Sequence, residues 1–118
     1  MPKRDKIIVL VTCASRPEAQ KIGRALVEAR LAACVSVIGT PVRSIYRWKG
    51  RLENAKEFLV MIKTSRSRFV ELRREVQRLH SYDVPEVVAL PIVEGSREYL
   101  AWIQENIGKQ RKRWKRRK

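Results

Sequence analysis

The segment His80-Ser81-Tyr82-Asp83-Val84-Pro85-Glu86 places the chain's only histidine, two carboxylates, a phenol and a proline in seven residues. A neutral imidazole can ligate a metal ion or exchange a proton near neutral pH. The competing role is structural: His80 ends a helix, where its charge meets the helix dipole. Residue type alone favours that second role. The remaining soft ligands are Cys13 and Cys34. Neither belongs to a C-x-x-C pair, and two thiols make no disulfide scaffold. Cys34 opens a strand, where a free cysteine is usually a core group. Cys13 ends the first strand beside a loop, a position that can leave it accessible. The two are expected at opposite edges of the sheet, too far apart to bond or chelate within one chain. One histidine and two distant thiols close no tetrahedral site, so a thiophilic ion would draw on different elements or chains. His80 and Cys13 are the candidate metal ligands on this reading.

A second candidate is a polar cleft between subunits. Tyr46, Trp48, Glu57 (or Glu53) and Lys63 of a long hairpin could face His80, Tyr82 and Glu86 of the turn. Clefts that are apolar with a few polar groups are typical small-ligand sites. The same residues could instead form a network that only fixes the register of an interface, where aromatic side chains are enriched anyway. No Ser-His-acid or Cys-His set is brought together by the expected fold, so neither catalysis nor an organic cofactor is expected.

Three elements of composition bound the rest. The 118 residues suffice for one compact domain, and 44% of them are apolar. No apolar run approaches the ~20 residues of a membrane-spanning helix. The run Ile7 to Val11 is too short for a signal-peptide core, and a cytoplasmic protein is expected. The net charge of +15 comes from 27 Lys/Arg against 12 Asp/Glu, and eight of those cations follow Gly108. A domain over 1–108 and a basic tail over 109–118 are therefore expected. Like-charge repulsion predicts a disordered, solvated tail. Its alternative use is contact with nucleic acid or an anionic membrane through Arg111, Lys112, Arg113 and Trp114, cations neutralising phosphates while the indole stacks on bases or sits among headgroups. The preference for Arg, 17 against 10 Lys, would also suit ion-pair networks in a heat-stable protein.

The elements that must position these groups follow from periodicity. Ile7-Ile8-Val9-Leu10-Val11 reads as a central strand. Ser15-Arg16-Pro17-Glu18 announces a helix whose apolar face is Ala19, Ile22, Ala25, Leu26 and Ala29, ending near Leu31. A second strand covers 33–38, is interrupted by Gly39-Thr40-Pro41, and alternates from Val42 to Lys49. Gly50 turns the chain, and a third strand returns through Ala55 to Thr64. Ser65 or Ser67 is expected to cap a helix with the stripe Phe69, Leu72, Val76 and Leu79, with surface pairs Glu71–Arg74 and Glu75–Arg78. A fourth strand runs from Glu86 to Val93. Gly95-Ser96 starts a last helix burying Tyr99, Leu100, Ile103 and Ile107, and Gly108 stops it. The order β-α-β-β-α-β plus a C-terminal helix predicts an α+β, ferredoxin-like sandwich with both main helices on one face of an antiparallel sheet. Arms of about ten residues in the Val42–Thr64 hairpin would each reach roughly 33 Å. Such a ribbon is marginal alone, so an obligate homo-oligomer is expected.

The segments L-A-A-C-V (31–35), S-I-Y-R-W-K-G-R-L-E (44–53), I-K-T (62–64), H-S-Y-D-V-P-E-V (80–87), P-I (91–92) and Y-L-A-W-I (99–103) resemble the CutA family of divalent-cation tolerance proteins over about residues 6–107. The resemblance implies a ferredoxin-like subunit in a tight homotrimer, with the hairpin carrying the intersubunit sheet. It further implies a part in tolerance to divalent metals, with copper or another divalent cation as ligand, and no enzymatic activity. Some bacterial relatives carry a cysteine where this chain has Val11, two adjacent histidines at Leu79-His80, and a proline at Ser81. Likeness of the trimer to PII signalling proteins implies an alternative, an adaptor that binds a small ligand in the cleft and signals to a protein partner. A nucleic-acid or membrane accessory protein, resting on the tail, is the third reading.

Overall fold

The computed structural model describes residues 5–108. The chain forms β1 (Lys6–Cys13), α1 (Arg16–Glu28), β2 (Cys34–Val37), β3 (Val42–Trp48), β4 (Arg51–Ser65), a 3₁₀ turn (Arg66–Arg68), α2 (Phe69–Leu79), β5 (Val88–Pro91) and α3 (Arg97–Glu105). It is a mixed α+β fold. The sheet is antiparallel throughout, in the order β2-β4-β1-β5, and β3 pairs with the free end of β4.

Alternation along β1 decides where the core lies. Ile7, Val9, Val11 and Cys13 point to one face, beside Thr64, Ile62, Val60 and Phe58 of β4. That face is closed by Ala19, Ile22 and Leu26 of α1 and by Leu72 and Val76 of α2, all without exposure. Gly23 lets α1 approach β2 closely, since a Cβ there would stand 2.8 Å from Val35 Cγ1. The opposite face carries Ile8 and Leu10 of β1, Leu59 and Met61 of β4, and Val88 and Leu90 of β5, which neighbour one another in the register. Among the described residues no helix covers that row fully: Val88 is 46% and Leu90 50% exposed. α3 packs at one end of the same sheet, in a small cluster of Leu100, Ile103, Ile107 and Ala33.

Local signals explain most of the boundaries. Ser15 accepts from the Glu18 amide at 3.2 Å, and Ser96 accepts from the Tyr99 amide at 3.2 Å, capping α1 and α3. Trp48-Lys49-Gly50-Arg51 is a two-residue hairpin turn with φ of 53° at Lys49 and 79° at Gly50, the mirror-image geometry that matches strand twist. At the far end, Arg30 (φ 60°) donates from Nε to the Gly108 carbonyl at 2.6 Å and from Nη2 to the Glu105 carbonyl at 2.9 Å. The Gly108 amide returns a bond to the Arg30 carbonyl at 2.9 Å. Thr64 Oγ1 donates to the Leu31 carbonyl at 2.8 Å in the core.

Several expectations are corrected. The free ribbon pairs seven residues, Val42 opposite Glu57 through Trp48 opposite Arg51, so its arms reach roughly 23 Å. The remainder of β4 is sheet core. β5 is four residues, not eight. Neither Ser65 nor Ser67 caps α2; their hydroxyls bond each other at 2.8 Å ahead of the 3₁₀ turn. α1 ends at Glu28 and leaves Ala29 exposed. Tyr99 is 42% exposed and stacks on Trp102 at 5.6 Å. Glu75 pairs with Arg78 as expected, whereas Glu71 pairs back with Arg68. Among the described residues, no helix is long and apolar enough to cross a membrane.

Candidate functional site

α2 stops at Leu79, and His80 turns out of the helix with φ −80° and ψ 145°. Its side chain has no exposure. Nε2 lies 2.8 Å from the Thr12 carbonyl, and Nδ1 lies 3.1 Å from the Tyr82 amide. A carbonyl can only accept and an amide N–H can only donate, so the ring is the neutral tautomer with its proton on Nε2. Both nitrogens are thus committed to tying the turn to the end of β1. Glu18 Oε2 lies 3.7 Å from Nδ1 but accepts the Ser81 amide at 2.7 Å. The ring also packs on Tyr82, with centroids 4.7 Å apart.

Fixing the turn aims Tyr82 at the hairpin. Its hydroxyl donates to Glu57 Oε2 at 2.7 Å, and Glu57 is only 5% exposed. Burial, then the bond to the Glu57 carboxylate, then nearby negative charge hold the Tyr82 phenol protonated well above its ordinary range. Around this bond lies a cavity of about 590 Å³ lined by Thr12, Ser44, Ile45, Tyr46, Trp48, Glu57, Tyr82, Asp83, Val84 and Glu86. The volume is that of a small-molecule site. Three aromatic residues and three carboxylates line it, and among the described residues the lining holds no Lys or Arg.

Of the expected cleft residues, Tyr46, Trp48, Glu57, Tyr82 and Glu86 converge within one chain. His80 stands behind them as their brace. Lys63 is elsewhere: it lies six residues further along β4, opposite Cys34, with Nζ 3.3 Å from Ser36 Oγ. Thr12, Ser44, Ile45, Asp83 and Val84 complete the lining. Asp83 sat in the same seven-residue turn, whereas Thr12 could be placed only by the register of β1 on β4.

The cysteines exchange their expected roles. Cys13 is in phase with Ile7, Val9 and Val11 and is buried without exposure; Cys34 is half-buried on the opposite face. Burial first, then the charges of Glu18 and Glu57, pushes the Cys13 thiol up to about 12. A thiol that stays protonated is a poor ligand, because the thiolate is the donor. Among the described residues, no three His, Cys, Asp or Glu side chains are grouped so as to hold a metal ion. His80 and Cys13 therefore do not fit a bound ion as they are arranged. Arg111, Lys112, Arg113 and Trp114 lie outside the described residues.

Comparison with known proteins gives a consistent picture. Residues 7–106 match the family model described as "CutA1 divalent ion tolerance protein". The chain is 50% identical to the "Divalent-cation tolerance protein CutA" of Thermus thermophilus over 101 residues, 86% of this chain and 97% of that protein. Its counterpart from Archaeoglobus fulgidus is 40% identical over 84% of this chain and 95% of its own. The solved structure of the Thermus thermophilus protein superimposes with a TM-score of 0.85, at 48% identity, covering 87% of this chain and 99% of that one.

Proposed function

The chain belongs to the CutA1 divalent ion tolerance family, and from that premise we propose that it serves the cell's response to divalent metal ions as a cytoplasmic, non-catalytic homotrimer of ferredoxin-like subunits. Family membership across residues 7–106 is the observation that carries the metal response. Deleting the gene in its host and growing cells in graded copper, zinc, cobalt and cadmium tests it. Growth should fail at lower metal and recover with the intact gene; unchanged sensitivity to every ion refutes it.

Two features support the assembly. The strand order β2-β4-β1-β5 with α1 and α2 on one face is compatible with a ferredoxin-like subunit, and the other face leaves an apolar row of Leu10, Met61, Val88 and Leu90 in want of cover. The ribbon adds Ile45 at 68% and Leu52 at 71% exposure. Contiguous apolar surface of this kind marks a protein contact. Sedimentation at micromolar concentration should give three times the 13.8 kDa chain mass; a folded single-chain particle refutes the trimer.

The route by which an ion acts is not the His80–Cys13 pair of one subunit, given the commitment of both ring nitrogens. Calorimetry with Cu(I), Cu(II) and a panel of divalent ions should give a stoichiometry unaltered by Cys13→Ser. A second reading is favoured by the cavity at Tyr46, Trp48 and Tyr82: a small ligand bound there is sensed by the assembly and passed to a protein partner, as in PII-like adaptors. A ligand that raises the melting temperature through this cavity is its test.

A further inference from the structure

We propose that the cavity between the hairpin and the 80–86 turn binds an organic cation, an alkylated or delocalised ammonium rather than a metal ion or an anion. The proposal rests on the small-ligand reading of that cavity and adds the ligand's chemistry. Charge is the first argument. The protein carries +15 overall with 12 acidic residues in 118, yet the cavity lining holds three of those acids, Glu57, Asp83 and Glu86, and, among the described residues, no cation. Against that background an anion would meet a local field of the wrong sign, and a cation is concentrated by it.

The second argument is the surface between the charges. Tyr46 and Trp48 stand on the same side of β3, 41% and 43% exposed, and Tyr82 faces them from the turn. Aromatic faces attract a cation through their quadrupole, with Trp strongest. They attract best a cation that is weakly hydrated, because the ion must shed its water to sit on a ring. A bare divalent ion demands several oxygen or nitrogen donors at close range instead; three carboxylates line the cavity, but no three His, Cys, Asp or Glu side chains among the described residues come close enough together to hold one. Walls of rings with carboxylates at intervals suit a charge spread over methyl groups or a planar guanidinium.

The third argument is rigidity. Glu57 keeps its place through Tyr82, and Tyr82 through the His80 ring and its bond to Thr12. The acid and the ring are positioned before any ligand arrives, which lowers the ordering cost of binding.

Calorimetry of the full chain with tetramethylammonium chloride tests this, using tert-butanol as an uncharged counterpart of similar size and inorganic phosphate as the anion. The cation should bind at least about tenfold more tightly than the alcohol, and phosphate should give no heat at the cavity. Trp48→Leu should weaken it at least about threefold while Trp48→Phe keeps most of the affinity. Glu86→Gln, an exposed change that leaves packing intact, should weaken it about twofold and reduce its salt dependence. Equal affinity for cation and alcohol, or no effect of Trp48→Leu, overturns the proposal. If a neutral or anionic compound from a thermal-shift panel binds and loses its shift in Trp48→Leu while the cation does nothing, the ligand class falls and the cavity reading stands. If no compound of any charge binds, both fall.

Discussion

Replacing His80 separates a structural brace from a metal ligand. His80→Ala removes two hydrogen bonds, Nε2 to Thr12 and Nδ1 to Tyr82, and empties the space of an imidazole with no exposure. Each neutral bond contributes about 0.5–1.5 kcal/mol. The Thr12 carbonyl and the Tyr82 amide, left without partners, add desolvation unless water enters. The lost ring packing on Tyr82 adds more. The expected cost is about 3 kcal/mol, which for a domain of this size lowers the melting temperature by roughly 10–20 °C. His80→Asn is the informative control, because its amide oxygen can replace Nδ1 as acceptor for the Tyr82 amide while the Thr12 bond is lost. Its cost should fall about midway. Chemical denaturation at one fixed protein concentration reads both values, since an oligomer's apparent stability depends on concentration. Copper and zinc stoichiometry should be unchanged in whichever variants remain folded. Wild-type stability in His80→Ala refutes the structural brace, and loss of bound metal with it refutes the brace more sharply.

Three further outcomes are expected. Cys13 should resist iodoacetamide at pH 8 in the folded protein and react on denaturation, because its thiol is pushed up to about 12; labelling in the native state, located by mass spectrometry, contradicts this. Stability should fall as pH rises above about 10. There the unfolded chain's tyrosine gives up its proton while folded Tyr82, held protonated by burial and Glu57, keeps its own, so the folded state loses relative ground until its own raised value is passed. Tyr82→Phe should flatten that part of the pH profile measured by urea denaturation, and an unchanged slope refutes the assignment. Gly23→Ala puts a Cβ 2.8 Å from Val35 Cγ1 and should cost about 1–3 kcal/mol; Val35→Ala in the same chain should recover part of it, and additive losses would mean that the two do not touch.

How far the sequence announces this arrangement depends on the range over which each signal acts. Ser15, Ser96 and Gly50 act within a few residues, and their caps and turn stand where the sequence places them. The turn of residues 80–86 is likewise readable as a polar site, because its groups are already adjacent in the chain. Failure begins where register decides. Glu57 and Lys63 share a face of β4 by parity, yet six residues of extended chain carry them roughly 20 Å apart, and no local pattern says which end of the strand meets the turn. The alternation Ile7, Val9, Val11 extends to Cys13, so its burial follows from the period of two and not from the neighbouring loop. The double commitment of His80 could not be read at all, because Thr12 lies 68 residues away. Ser65 and Ser67 failed as caps because two adjacent hydroxyls satisfy each other.

The Arg30 clasp fixes where this protein can be cut or extended. Glu105 and Gly108 surrender their carbonyls to one guanidinium whose own backbone receives the Gly108 amide, so the last turn of α3 is anchored to a loop some 75 residues earlier. A truncation that ends before Gly108 would undo a three-point fastening and release Ile103 and Ile107 from Ala33. A protease site, fluorophore or affinity handle placed after it leaves the fastening whole.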